Sequence, residues 1–244
     1  MAPGANNAPV VWRQGEHVVV IGRTGSGKTY LLSKLIQLRQ YVVFFRTKPD
    51  KNKFPDLIVT RRADAMRHFN GMRLLLEPEY RRQAVEGYNM LENAWQDGSW
   101  CVVMDELWYA EEQLGLRDYV NRMLTQGRSK DITAVLGVQR PVDISRFALS
   151  ETKHVFVFQT EGRDLKFTLR DSTTERIVPA VQSLTKYEFI YYNRETGQIR
   201  KGNANRLEQV FTSTYHSEPL DGSRSKSRIS AREPSTARVI GRSG

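Results

Sequence analysis

The stretch of sequence that decides the fold lies near the amino end of the chain and reads Gly22-Arg23-Thr24-Gly25-Ser26-Gly27-Lys28-Thr29. It is a complete G-x-x-x-x-G-K-[ST] pattern, which requires a strand before it and a helix after it. Residues 17–21 are a β-branched run typical of a buried strand, and residues 30–38 carry apolar side chains at helical spacing. The sequence therefore predicts a strand, a glycine-rich turn and a helix in succession.

The chemistry of this turn points to a bound nucleotide. Its glycines allow the backbone to curl, so that successive N–H groups point inward at phosphate oxygens, and the helix N-terminus adds a partial positive charge. We expect Lys28 to reach the β- and γ-phosphates and the Thr29 hydroxyl to bind Mg²⁺. The predicted nucleotide-binding segment runs from Gly22 to Tyr30.

Composition and charge restrict the class of protein. The 244 residues carry a formal net charge of +10, which favours an acidic partner such as nucleic acid. The single cysteine, Cys101, excludes an internal disulfide and any metal site built from several cysteines. No run of 18 apolar residues and no signal peptide is recognisable, so we expect a cytoplasmic protein without a membrane span.

Strand and helix patterns alternate along the first two thirds of the chain. Strand patterns occupy residues 17–21, 41–45, 57–59, 72–76, 100–104, 132–138 and 154–158, and helical patterns occupy residues 30–38, 61–69, 79–96 and 113–126. This alternation predicts an α/β fold with a mainly parallel, doubly wound central sheet.

The remainder of the chain reads differently. Residues 187–192 and 198–201 flank a glycine-containing loop and predict a β-hairpin. Residues 218–244 are rich in serine and arginine with almost no large apolar side chains, so we expect a basic disordered tail. The expected organisation is a flexible segment at 1–10, one domain at 11–217 that includes the hairpin, and the tail.

Two adjacent carboxylates end the strand at 101–104. At the carboxyl end of that strand, Asp105 can lie beside the phosphate-binding turn and bind Mg²⁺, directly or through water. Glu106 then lies one residue closer to solvent, where it can orient a water molecule and accept its proton. The pair predicts nucleotide hydrolysis; the alternative is nucleotide binding without turnover.

A third block of polar residues brackets the strand at 132–138. Gly127 and Arg128 precede it, and Gln139-Arg140-Pro141 follows it. Together with the phosphate-binding turn and the Asp–Glu pair, this block resembles the FtsK/HerA group of DNA-pumping ATPases, which includes small viral and phage genome-packaging ATPases. The resemblance covers residues 18–158.

The resemblance implies a three-layer P-loop NTPase of the RecA/ASCE type that uses ATP with Mg²⁺. It implies that Gln139 senses the γ-phosphate and that Arg128 is supplied to the nucleotide of a neighbouring subunit. The alternatives are a solvated strand end for Gln139, and a surface or DNA-contacting arginine for Arg128. The implied partners are double-stranded DNA, further copies of the chain in a ring (a hexamer is the first expectation), and capsid or portal-vertex proteins.

Other conspicuous residues have simpler explanations. A basic stretch either lines a ring pore or forms a solvated face; it comprises Arg61, Arg62, Arg67, Arg73, Arg81 and Arg82. Trp108 and Tyr109 are expected to anchor the helix that follows the Asp–Glu pair, Cys101 is expected in the core, and the four histidines show no metal-ligand spacing.

The hypothesis from the sequence is an ATP-driven translocase of double-stranded DNA, with a viral or phage packaging motor as the first choice and a host-cytoplasmic or virion-associated location. Two alternatives stay open. One is a plasmid or prophage ATPase for DNA transfer or replication, and the other is a nucleotide-switched assembly or scaffold protein.

Overall fold

The structure is a computed structural model of the chain. It describes residues 10–48, 54, 56–68, 71–160, 162 and 177–209. The predicted tail at 218–244 and all but the last residue of the segment at 1–10 lie outside these described residues.

A nine-stranded sheet forms the centre of the fold. Its strands, in chain order, are β1 (Val18–Ile21), β2 (Val42–Phe45), β3 (Ile58–Thr60), β4 (Arg73–Leu76), β5 (Cys101–Met104), β6 (Thr133–Val138), β7 (His154–Phe158), β8 (Glu188–Asn193) and β9 (Ile199–Asn203). Their spatial order is β3-β4-β2-β5-β6-β1-β7-β8-β9. The strands from β3 to β7 in this order are parallel, whereas β8 and β9 join as an antiparallel hairpin.

The parallel register places the carboxyl ends of seven strands at one edge of the sheet. Val20 pairs with Gly137 of β6 and with Phe156 of β7, so the ends of these three strands lie side by side. Loops that leave this edge are the usual location of ligand sites in open α/β sheets. Residues that follow β1, β5 and β6 are therefore brought together, as the sequence predicts.

Helices cover both faces of the sheet. They are α1 (Lys28–Leu35), α2 (Gln83–Asp97), α3 (Arg117–Gln126), α4 (Arg146–Ser150) and α5 (Val178–Gln182), with short 3-10 segments between them. None of the helices in the described ranges is both long and apolar enough to cross a membrane. The predicted α/β fold with helices on either side of a mainly parallel sheet is confirmed.

The core is divided by the sheet into two apolar clusters. One cluster contains Leu31, Leu32 and Leu35 of α1 against one face of the sheet. The other contains residues of α2, α3 and α4 against the opposite face. Every residue of β1, β2, β5, β6 and β7 is buried. Burial on both faces is characteristic of parallel strands between helical layers, which explains why these segments read as continuous apolar runs.

The helix predicted over residues 61–69 is wrong. Its described residues, 61–68, hold a single 3-10 turn, Ala63–Ala65, and Met66 already has an extended backbone. Helix α2 supplies the missing partners: the Glu86 carboxylate accepts from the Ala63 N–H at 2.9 Å, and the Asn93 amide donates to the Ala63 carbonyl at 3.0 Å. Tertiary hydrogen bonds thus replace those of a local helix.

The helix predicted over 113–126 is also too long. Residues Tyr109–Gln113 form a π-helical turn, Gly115 has φ of +66°, and α3 begins only at Arg117. A positive φ cannot continue a right-handed helix. The predicted hairpin is confirmed, with its strands one to two residues later than expected.

Candidate functional site

The glycine-rich turn leaves the carboxyl end of β1 and enters α1. Gly25 has φ of +79° and Gly27 has φ of +112°, values that L-residues with a side chain rarely adopt. The Gly22 N–H donates to the Val138 carbonyl of β6 at 3.0 Å, which fixes the start of the turn to the sheet. The backbone therefore curls around the N-terminus of α1, as an anion-binding loop must.

Lys28 lies inside this curl. It is 5% exposed, and its Nζ donates to the Arg23 carbonyl at 3.2 Å across the turn. Burial lowers the pKa of the Lys28 ammonium below its usual value, although the carboxylates of Asp105 and Glu106 oppose this effect. A phosphate within the loop would add negative charge beside a desolvated cation, which favours binding.

Thr29 and Asp105 meet at the same edge. The Thr29 hydroxyl donates to Asp105 Oδ2 at 2.9 Å, although the residues are 76 positions apart. Gly137 supports this contact from β6, because a Cβ at position 137 would lie 2.4 Å from the Asp105 carbonyl oxygen. The two oxygen-bearing side chains are thus held together, and oxygen ligands are those that Mg²⁺ prefers.

Glu106 follows Asp105 and forms an ion pair with Lys48. Lys48 lies three residues after β2, which is adjacent to β5 in the sheet. Its side chain is 65% exposed, whereas that of Glu106 is 17% exposed. The sequence did not identify Lys48, although its position after a buried parallel strand is the same signal that identified Asp105.

Gln139 directly follows β6, which pairs with β1, the strand that leads into the glycine-rich turn. The Thr24 hydroxyl donates to Gln139 Oε1 at 3.2 Å, so the amide contacts the phosphate-binding turn directly. An amide in this position can hydrogen-bond both a phosphate oxygen and a water molecule.

Arg128 is not brought to this edge. It is exposed in the 3-10 turn Gly127–Lys130, which precedes the amino end of β6. The six residues of β6 separate it from Gln139 by roughly 20 Å. Within one subunit, Arg128 therefore cannot contact a nucleotide at the glycine-rich turn.

The last residue of the predicted binding segment has an aromatic partner. Tyr30 is 39% exposed, and its ring lies edge-to-face with Tyr187 at a centroid distance of 5.9 Å. Tyr187 precedes β8 and was missed from the sequence. No sequence signal identifies it, because its place depends on how the antiparallel hairpin joins β7.

Half of the arginines in the basic stretch are paired with acidic neighbours. Three of its arginines form ion pairs, in the pairs Arg61–Glu79, Arg62–Asp64 and Arg82–Glu86. A fourth, Arg73, donates to the Ile36 carbonyl at 3.2 Å. This arrangement favours a solvated face over a continuous phosphate-binding surface.

The remaining residues singled out from the sequence are mostly structural. Cys101 is buried in β5, and the Tyr109 hydroxyl donates to Gln83 of α2 at 3.0 Å. Trp108 is 40% exposed directly before the π-helical turn, so its role as an anchor stays a prediction. Buried His17 and His154 hydrogen-bond within the fold, and His216 lies outside the described residues.

Comparison with known proteins finds a curated relative that matches most of the chain. The DNA packaging ATPase P9 of Enterobacteria phage PRD1 is 26% identical over 203 residues, which cover 73% of this chain and 82% of that protein. The resemblance to viral genome-packaging ATPases is confirmed. No protein-family model matches the chain.

Solved structures agree on the fold. The genome packaging NTPase B204 of Sulfolobus turreted icosahedral virus 2, in complex with ATP-gammaS, matches with a TM-score of 0.61 at 13% identity, over 79% of this chain and 98% of that one. EssC of Geobacillus thermodenitrificans (ATPases 2 and 3) matches with a TM-score of 0.54 at 11% identity, over 84% of this chain and 41% of that one. The chain therefore shares the α/β fold of B204 and EssC.

Proposed function

We propose that this chain hydrolyses ATP at the glycine-rich turn and uses the energy to move double-stranded DNA into a viral particle. The observation that carries the proposal is the convergence of Lys28, the Thr29–Asp105 pair, Glu106 and Gln139 at one edge of the sheet. That the molecule moved is DNA is inferred from the PRD1 relative, which is named a DNA packaging ATPase.

Nucleotide binding rests on the shape and charge of the turn. Its backbone N–H groups and the Lys28 ammonium are positioned to bind phosphate oxygens, with the N-terminus of α1 behind them. Structures of the B204 protein are complexes with AMP, ATP-gammaS and AMPPCP, which makes adenine nucleotides the first choice here.

The residues present also fit Mg²⁺. The Thr29 hydroxyl and the Asp105 carboxylate offer two oxygen ligands 2.9 Å apart, and Mg²⁺ commonly takes its remaining ligands from phosphates and water. When bound, the ion would neutralise charge on the phosphates. Asp105 and Thr29 would hold it, and Gly137 would keep Asp105 in place.

Glu106 is proposed as the residue that activates water. Its carboxylate lies one residue beyond Asp105, on the solvent side, and can orient a water molecule and accept its proton as that molecule attacks the γ-phosphorus. Gln139 contacts the turn through Thr24, so it can respond to the presence of the γ-phosphate.

Arg128 is proposed to act on the nucleotide of a neighbouring subunit. Its exposure and its position roughly 20 Å along β6 from Gln139 exclude a role at its own turn. An arginine supplied from outside can stabilise charge on the phosphoryl oxygens, an effect worth roughly 10³-fold or more in rate. Shared sites of this kind fit a closed ring, for which a hexamer is the first expectation.

Binding of DNA is proposed to rest on charge rather than on sequence. The formal net charge of +10 favours contacts with phosphates, which are independent of base identity and weaken as salt rises. We place the ring in the host cytoplasm or on the virion, with capsid or portal-vertex proteins as its docking partners.

The decisive experiment measures the steady-state ATPase rate of the full chain with no DNA, with double-stranded DNA and with single-stranded DNA, at low salt. We expect stimulation by double-stranded DNA, and no activity in the Lys28→Ala variant, which serves as the control for contaminating ATPases. A rate unchanged by double-stranded DNA would contradict the translocase and favour the scaffold alternative. Stimulation by single-stranded DNA alone would favour DNA transfer or replication.

A further inference from the structure

A short π-helical turn, Tyr109–Gln113, lies just after Glu106. The Glu106 carbonyl accepts from the Ala110 N–H at 3.2 Å, so the helical segment begins at the proposed water-activating residue itself. The Leu114 N–H then donates to the Tyr109 carbonyl at 3.1 Å, an i→i+5 bond that widens the helix. Turns of this kind are rare and are found frequently at functional sites. A shift of this turn would therefore carry Glu106 with it.

One side of the turn is tied to the loop after β2. The Tyr109 hydroxyl donates to Gln83 Oε1 at 3.0 Å, and the Gln83 amide donates to the Thr47 carbonyl at 2.7 Å. Gln83, at the start of α2, is 4% exposed and uses both ends of its amide in these two bonds. Thr47 is the residue before Lys48, which pairs with Glu106. Gln83 thus holds together the two segments from which this ion pair extends.

The other side of the turn is tied to the loop after β6. The Glu111 carboxylate accepts from the Ser145 N–H at 2.8 Å. Ser145 lies six residues after Gln139, and Pro141 within this short loop is buried. Residues two positions apart on a helix do not share a face, so Tyr109 and Glu111 reach in different directions. Because β5 lies between β2 and β6 in the sheet, the turn connects the loops of both neighbouring strands.

Burial of Glu111 is energetically costly. Its side chain is fully buried, and its Oε1 has no hydrogen-bond partner among the described residues. Burial raises the pKa of the Glu111 carboxyl above its usual value, although the Ser145 hydrogen bond and the Arg117 guanidinium oppose this. Arg117 Nη2 is 3.7 Å from Glu111 Oε2 and also pairs with Glu112. A buried carboxylate with so few partners adds little to stability, which points to a role in placing the chain rather than in folding it.

We propose that the π-helical turn is a bridge that sets the position of Glu106 between the loops after β2 and β6. Its positioning residues are Gln83, Tyr109 and Glu111. The inference rests on the proposed function, because that function gives Glu106 the attacking water. A carboxylate displaced by about 1 Å no longer holds that water in line with the phosphate, which can lower the rate by roughly 10²-fold.

The experiment measures kcat and KM for ATP in variants of the full chain. Glu111→Met keeps the length of the side chain but removes the acceptor for the Ser145 N–H. We expect kcat to fall about 10-fold while KM stays within about twofold, because the carboxylate of Glu106 shifts and the phosphate contacts remain. Glu111→Gln keeps an acceptor and should retain about half of kcat or more. Glu112→Met, the next residue on the same turn, is the matched control and should leave both constants unchanged.

Tyr109→Phe tests the other side of the bridge without a change of shape. It removes the hydrogen bond to Gln83, and we expect kcat to fall about threefold with KM unchanged. Tyr88→Phe, on the exposed side of α2, is its control. If Glu111→Met does not fold, Tyr109→Phe decides the question, and a normal kcat in that variant would overturn the bridge.

A double variant distinguishes positioning from general support of the fold. If Glu111 acts through Glu106, adding Glu111→Met to Glu106→Gln should change the residual rate by less than about twofold. Equal losses from Glu111→Met in both backgrounds would overturn the proposal, as would a normal kcat in Glu111→Met alone. Normal turnover in Glu106→Gln, or no hydrolysis by the unmodified chain, would instead contradict the proposed function on which the bridge depends.

Discussion

The Lys48 ammonium is paired with the Glu106 carboxylate across the carboxyl ends of β2 and β5. A carboxylate oxygen that accepts a hydrogen bond from an ammonium points toward that cation and is not free to contact a water molecule. If Glu106 activates water, this ion pair competes with that activity. Because the Lys48 side chain is 65% exposed, another anion, such as a DNA phosphate, can replace Glu106 as its ion-pair partner.

Replacement of Lys48 by methionine tests this competition. We expect Lys48→Met to raise the ATPase rate measured without DNA by several-fold and to reduce further stimulation by DNA, while KM for ATP stays close to its original value. Lys130→Met, at the opposite edge of the sheet, is the matched control and should leave both rates unchanged. A lower basal rate in Lys48→Met would show that Lys48 assists the reaction instead.

Glu106→Gln separates binding from hydrolysis. The amide keeps the size of the side chain but cannot accept a proton, so kcat should fall by about 10²-fold or more while ATP affinity remains within a few-fold. Rapid-quench measurements should find ATP, not ADP, bound to the variant. Glu112→Gln, six residues further along on the π-helical turn, is the control; normal turnover in Glu106→Gln would remove Glu106 from its proposed role.

Arg128 can be assigned to a neighbouring subunit by mixing inactive variants. Arg128→Ala and Lys28→Ala should each be inactive alone and regain activity when mixed, because some sites then combine an intact turn with an intact arginine from the next subunit. Lys28→Ala mixed with Glu106→Gln is the control, since both changes damage the same half of the site. Absence of recovery at every ratio would contradict action in trans.

His17 predicts how stability depends on pH. Burial lowers its pKa to about 4 from the usual value of about 6.5, and the neutral ring donates to the Leu124 carbonyl and accepts from the Ala134 N–H. Between these two values the unfolded chain binds a proton that the folded chain does not. The free energy of unfolding should therefore fall by about 2 kcal/mol between pH 7 and pH 5 from this residue.

The check uses urea unfolding of the full chain and of His17→Gln at both pH values. The variant is expected to be less stable at pH 7 and to lose part of the pH dependence, because glutamine does not titrate in this range. An identical pH dependence in both proteins would show that the pKa of His17 is the same in the folded and the unfolded chain.

The sequence predicted the part of the site that is built from residues at the carboxyl ends of parallel strands. Lys28, Asp105 and Gln139 each follow a buried strand directly or through a recognisable turn, and the rule that parallel carboxyl ends share an edge was enough to bring them together. The strands themselves were found because burial on both faces gives continuous apolar runs.

The sequence did not predict features that depend on partners distant in the chain. Tyr187 reaches the turn only because β8 adds to β7 in an antiparallel register, which no local pattern specifies. The failed helix at 61–69 has the same cause, since Glu86 and Asn93 of α2 bind the backbone that a helix would have used. Long-range contacts override local preference at both places.

The close approach of Gly137 to the backbone of Asp105 has a consequence for distant relatives. Even one methyl group at position 137 would collide with the Asp105 carbonyl oxygen and displace the carboxylate from Thr29. Absence of a side chain there is thus a requirement of the Thr–Asp pair, although position 137 itself touches no ligand. Relatives too divergent to align by identity can be divided by whether they keep a glycine at this position. Those with a larger residue there cannot form the Thr–Asp hydrogen bond and must hold a cation in another way.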